Sequence, residues 1–124
     1  MASILLIIMI TVTGIKSCDT CRKALVWLSE EGLEHTFHDL RVSGLEENLI
    51  RRWVTLAGWE TLLNRRSTTW RALPANNKLA IDEDSAVLLM LKHPTLIKRP
   101  VFEAGPDLYV GFSDTIRQQL KSET

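Results

Sequence analysis

The sequence predicts an α/β domain: a small mixed sheet with helices around it and a helical insertion within it. Three observations point there. The β-branched run Ile10 to Ile15 leads directly into helical spacing, with Cys21, Ala24, Leu25 and Leu28 at i, i+3, i+4 and i+7. An extended stretch, Glu34 to Val42, comes next, completing a strand-helix-strand order. Near the end, Gly105-Pro106-Asp107 separates two short apolar runs in the manner of a β-hairpin.

Residues Ile4 to Ile10 are almost all apolar, yet even continued to Val12 the run falls well short of the ~20 residues of a membrane span and has no basic flank. It reads as a first, buried strand. A signal peptide would be cleaved near Cys18 and remove the strand behind it; Met9 is an alternative start, which would make Met1 to Ile8 an extension. In Glu34 to Val42, Phe37 and Asp39 share one face, and Thr36, His38 and Leu40 the other. Ser43 with Glu46 then forms a capping box ahead of an apolar stripe, Leu45, Leu49, Ile50, Trp53 and Leu56, that stops at Gly58. A short helical piece, Trp59 to Leu63, leads into the polar segment Asn64 to Thr69, and Pro74 interrupts. Asp82, Glu83 and Asp84 open another helix carrying Val87, Leu88 and Leu91. Lys92 and His93 stand near its end and Pro94 closes it, so its charges match the helix dipole. Thr95 to Glu103 and Leu108 to Gly111 flank the hairpin turn, and Ser113 caps a last helix, Asp114 to Lys121. This order is that of a thioredoxin-like fold, in one domain over residues 1–124 with a helical insertion at about 43–93; no linker, repeat or low-complexity segment divides it.

Composition narrows the function. With 124 residues, 45% of them hydrophobic, the chain suits one domain with a sizeable core. Fifteen basic residues balance fifteen acidic ones, so the broad positive field that draws proteins to nucleic acid or acidic membranes is missing. Two cysteines without a framework of several bridges fit a reducing, cytoplasmic setting.

Those two cysteines form Cys18-Asp19-Thr20-Cys21 between strand and helix. At a helix N-terminus, unpaired N–H groups and the dipole favour a thiolate. Lys16, Arg22 and Lys23 add positive charge nearby and Asp19 opposes it, so Cys18 is expected to have a depressed pKa and to be the attacking thiol. Cys21 has two readings: a resolving thiol one turn away, or a small core side chain on the apolar stripe. Zinc is a rival, since Cys18, Cys21, His35 and His38 approach a finger spacing. However, only two residues separate the histidines where three to five are needed, and an extended stretch sends their side chains to opposite faces. No metal site is expected.

The chain resembles the arsenate reductase (ArsC) and Spx-like family over nearly its whole length, from Met9 to about Leu120. The resemblance is carried by Gly14-Ile15-Lys16-Ser17-Cys18-Asp19-Thr20-Cys21-Arg22-Lys23-Ala24, Leu62-Leu63-Asn64-Arg65-Arg66-Ser67-Thr68, His93-Pro94-Thr95-Leu96-Ile97-Lys98-Arg99-Pro100 and Gly111-Phe112-Ser113-Asp114. It implies that Cys18 matches the family's nucleophile, Arg99 the oxyanion-binding arginine that faces it, and Pro100 the proline that thioredoxin-like folds hold in cis beside the thiol. Cys21 resembles the second cysteine of Spx-type proteins. Two positions depart from the three-arginine arsenate site: Gly111 stands where the third arginine would be, and Asn64, followed by Arg65 and Arg66, falls on the first. Losing one guanidinium fork removes much of an oxyanion's binding. The expectation is therefore a glutathione-dependent thiol-disulfide reductase rather than a true arsenate reductase. Cys18, Cys21 and Arg99 would be catalytic, Arg65, Arg66, Pro100 and Lys16 candidates for substrate binding, with no bound cofactor and glutathione or another small thiol as co-substrate. Glutaredoxin or thioredoxin are possible partners. The alternative is a redox-sensing regulator that, like Spx, binds RNA polymerase. Such regulators carry a little more sequence after the last helix, which leans the expectation toward the enzyme.

Overall fold

β-Branched residues build the central strand, β1 (Ile10–Gly14), whose Ile10 and Val12 are fully buried. In the computed structural model, which describes residues 8–123, a crossover follows: α1 (Asp19–Glu30) returns the chain to β2 (His35–Asp39), parallel to β1 from Ile10↔His35 to Gly14↔Asp39. The hairpin β3 (Val101–Ala104) and β4 (Asp107–Val110) completes one mixed sheet in the order β2-β1-β3-β4, with β3 antiparallel to β1. Between β2 and β3 lie α2 (Leu40–Ser43), α3 (Glu47–Ala57), α4 (Trp59–Leu62), α5 (Thr68–Ala72) and α6 (Glu83–Lys92), with short 3-10 turns at Ala75–Lys78 and Pro94–Leu96; α7 (Asp114–Ser122) ends the fold. The mixed sheet with helices is that of a thioredoxin-like protein.

Two cores share the sheet. Ile10, Val12, Ala24, Leu28, Phe102 and Leu120 join β1, α1, β3 and α7. Ile50, Trp53, Val87, Met90, Leu96 and Val101 join the inserted helices to the hairpin. Period-two alternation explains how β3 serves both: Val101 faces one core, Phe102 and Ala104 the other. One small feature ties the inserted helices to the segment before β3. Leu63 and Ile97 form an isolated antiparallel bridge, flanked by Asn64 N–H to the Leu96 carbonyl (2.7 Å) and Lys98 N–H to the Leu62 carbonyl (2.8 Å). The bridge seats the Asn64–Arg66 turn beside the segment that carries Arg99.

Several boundaries differ from the sequence expectation. The second strand stops at Asp39, not Val42, because the Asp39 carboxylate accepts from the Arg41 N–H (2.9 Å) and caps α2. Ser43 consequently belongs to α2, and α3 begins after Glu46 with no side-chain cap, so the Ser43/Glu46 capping box does not form. The polar run Asn64 to Thr69 contains a helix start: Ser67 Oγ accepts from the Trp70 N–H (3.1 Å) and caps α5. Leu56 and Leu88 turn outward, 53% and 54% exposed, and Ala86 and Met90 take the places next to Val87 in the core. The helix opening at Asp82, the Ser113 cap and the hairpin turn lie where expected, and Asp82 caps its helix in a reciprocal box with Ser85. The expected strand from Ile4 lies outside the described residues before Ile8. No helix among the described residues is long and apolar enough to cross a membrane.

Candidate active site

Cys18 is the residue that precedes the first turn of α1. Its backbone is extended (φ −77°, ψ 123°), its N–H bonds the Ile15 carbonyl (3.0 Å), and its own carbonyl receives the first helical bond, from Arg22 N–H (3.0 Å). The side chain is half-buried at the N-terminal end of a twelve-residue helix, aligned with the helix dipole. Partial burial pushes the thiol up. The Cys21 N–H, the Cys21 thiol and the adjacent Arg99 guanidinium outweigh it, and the net shift is downward. Cys18 is therefore the more acidic of the pair.

Cys21 differs in every respect. It is 0% exposed, and its sulfur lies hard against the backbone of Gly14: a Cβ built there would stand 2.5 Å from Cys21 Sγ. Glycine at position 14 is thus a matter of space. Burial, followed in effect by the neighbouring Cys18, raises its pKa to about 11 despite a backbone hydrogen bond from Ile15 and the field of Arg99. Both cysteines are free thiols.

The positive charge at Cys18 comes from across the fold, not from its own loop. Arg22 and Lys23 turn to Asp19, with N–O separations of 3.7 and 3.1 Å, and Lys16 is exposed. Lys16 contributes its backbone instead, donating its N–H to Asp39 Oδ2 (3.1 Å) and tying the thiol loop to the end of β2. Arg99 supplies the charge. Its Nη1 donates to the Thr95 carbonyl (2.9 Å) and the Ile97 carbonyl (3.3 Å), which fix the guanidinium plane, and Thr95 is itself braced by a 2.7 Å hydroxyl bond to Thr69. Arg99 Nε is buried and has no acceptor among the described residues. The Arg99-Pro100 peptide is cis, Pro100 is buried, and its carbonyl receives the Gly111 N–H (2.8 Å).

Of the other candidates, Arg65 and Arg66 are exposed. Arg65 lies over two indoles, its guanidinium carbon 5.5 Å from the Trp59 ring centre and 5.9 Å from that of Trp70. Together with Arg66, Asn64, Glu60 and Lys98 it lines a cleft of about 410 Å3. The Leu63–Ile97 bridge places this basic cleft next in sequence to Arg99, but Cys18 is not in its lining. Gly111 occupies a left-handed backbone position (φ +92°), which a residue with a Cβ adopts only under strain. His35 Nδ1 donates to the Leu33 carbonyl (2.8 Å) and His38 Nε2 to that of Gly44 (3.0 Å), so each ring spends a nitrogen on backbone.

Sequence reading did not single out Gly14, Asp39 or Thr95 as site residues. Gly14, directly before the motif, carried the only readable signal, because a glycine within a strand marks close backbone approach. Asp39 and Thr95 act through backbone bonds that only the tertiary fold brings together.

Comparison with known proteins agrees with this geometry. An uncharacterized protein of Haemophilus influenzae is 45% identical over 106 residues, spanning 86% of this chain and 93% of its own length. The solved structure of the YffB protein superimposes with a TM-score of 0.86 at 41% identity, covering 90% of this chain and 97% of that one. The global transcriptional regulator Spx of Streptococcus agalactiae is 34% identical over 120 residues, 90% of this chain and 83% of its own. The family model described as the ArsC family matches residues 13–119, a span holding both cysteines, Arg99 and the hairpin, and the chain belongs to that family.

Proposed function

We propose that the protein is a glutathione-dependent thiol-disulfide reductase. One observation carries the reading: a half-exposed thiol of lowered pKa at a helix N-terminus, with an oriented arginine beside it and a second, buried thiol behind it. The Cys18 thiolate attacks one sulfur of a disulfide; the S–S bond breaks, and the departing thiolate takes a proton from water. Cys18 is now in a mixed disulfide and no longer anionic. That removes the neighbour that helped raise the Cys21 pKa, so Cys21 gives up its proton more readily and attacks the Cys18 sulfur. The second thiol is released, and two glutathione molecules reduce the Cys18–Cys21 disulfide to give oxidised glutathione. Arg99 Nε has no acceptor among the described residues, and the guanidinium it belongs to would hold an anionic partner such as a glutathione carboxylate. Gly111, in a backbone position that disfavours arginine, argues against arsenate as the substrate.

The likeness to Spx supports a second reading, a redox-sensing regulator that contacts RNA polymerase through a Cys18–Cys21 switch. Reduction of a small mixed disulfide by glutathione, followed in wild type and Cys18→Ser, tests the first. Turnover that disappears with Cys18 supports it. No turnover, together with capture of polymerase subunits from cell extract by only one redox form, would replace it with the second.

A further inference from the structure

A cleft of about 670 Å3 opens on the inserted helices, and neither cysteine nor Arg99 is in its lining. Its walls come from Thr68, Leu73 and Pro74 in and after α5, Asn77 in the 3-10 turn, and Lys92 and His93 at the C-terminal end of α6. The volume falls within the range of small-molecule sites, about 300–1,000 Å3. Thr69 also lines it and spends its hydroxyl on Thr95 (2.7 Å), but among the described residues the side chains of Thr68, Asn77, Lys92 and His93 make no hydrogen bond or ion pair.

Lys92 has a structural role as a cation at the negative end of the α6 dipole, and His93 is the residue at which the helix ends. Any outward orientation would satisfy that role, however, and does not require both to border one cleft with an amide and a hydroxyl opposite.

We propose that this cleft is a second ligand site, which takes a small organic carboxylate. An ammonium, an imidazole N–H, an amide and a hydroxyl supply the donors one carboxylate accepts, and Leu73 with Pro74 offers an apolar wall to its carbon body. Phosphate is the poorer fit. A dianion calls for guanidinium forks or several cations, and among the described residues Lys92 is the one lysine or arginine on these walls. Its lining includes neither cysteine nor Arg99, although Thr69 on its wall bonds Thr95, whose carbonyl accepts from Arg99; the proposal does not rest on the thiol chemistry.

Titration of the 15N-labelled full chain with benzoate and with hexanoate tests the proposal by amide chemical shifts. The expected result is saturable perturbation of residues 68–77 and 92–93, weakened roughly tenfold by Lys92→Ala, as for loss of one charge-assisted hydrogen bond, and reduced by His93→Gln. Lys23→Ala, which removes a surface charge on α1, leaves binding unchanged. Shifts that do not saturate, an equal loss in Lys23→Ala, tighter binding of inorganic phosphate than of benzoate, or perturbations centred on Cys18 and Arg99 would each overturn it.

Discussion

Replacing Gly14 with alanine puts the contact between β1 and the buried thiol to a quantitative test. The added methyl would lie 2.5 Å from Cys21 Sγ and 3.6 Å from Phe37 Cε1. Ordinary carbon–sulfur contact needs roughly 1 Å more, and Cys21 is fully buried in the first turn of α1, so the helix start has to move or the strand end has to bend. Overpacking of this kind costs about 1–3 kcal/mol, or roughly 4–12 °C in Tm for a domain of this size. Urea unfolding of Gly14→Ala, Cys21→Ala and the double variant gives the coupling between the two sites. Cys21→Ala alone loses about 1 kcal/mol to a small cavity. In the double variant the new methyl occupies that cavity, and the pair should be more stable than the sum of the single losses by about 1–2 kcal/mol. Additive losses, or a Gly14→Ala protein as stable as wild type, would refute the contact and with it the claim that Cys21 is pinned in place.

Three further outcomes follow from the site. Because the Cys18 pKa is lowered, alkylation of Cys21→Ser, which leaves Cys18 alone, should rise with an inflection below the ordinary thiol value of 9.0, whereas Cys18→Ser should stay unreactive until well above it. The inflection for Cys18→Ser should fall somewhat short of about 11, since one of the groups raising Cys21 is gone; folding stability conferred by the neutral Cys21 is present below pH 9 and is lost as pH climbs toward 11. Arg99→Ala should move the Cys18 inflection upward and weaken glutathione binding roughly ten- to a hundredfold, while Arg99→Lys restores the inflection but not the binding; an unmoved inflection in Arg99→Ala rejects the pairing. Gly111→Arg, measured by thermal melting and by arsenate turnover, should lose about 1–3 kcal/mol to backbone strain and gain no arsenate activity.

The sequence displayed its helices and hairpin through periodicity and punctuation, and the cysteine motif through its position between strand and helix. Ser113 caps where it was expected to, and α6 opens at Asp82 as expected, because a helix start is a local event, settled within three residues. The end of β2 was not legible for the opposite reason: Leu40 and Val42 have strand-forming character, and the Asp39 carboxylate overrides it by capping a turn while reaching the Lys16 N–H, 23 residues away. Charges near Cys18 in the chain were misleading in the same way. Arg22 and Lys23 are drawn to Asp19, and the cation that acts on the thiol is 81 positions further on, delivered by the fold. That arginine was found in the sequence only through its neighbour Pro100 and the family resemblance they share.

The short bridge between Leu63 and Ile97 bears on how this architecture can be taken apart. A helical insertion between two strands invites excision, leaving a minimal sheet-and-two-helix domain. Here the graft and the host share main-chain bonds at the place where the segment carrying Arg99 leaves the insertion. Cutting out the helices would unmoor the arginine's own backbone, so a trimmed version would keep the cysteine pair and lose the charge opposite it. The insertion behaves as scaffolding for half of the site, and any shortening of this chain has to start elsewhere.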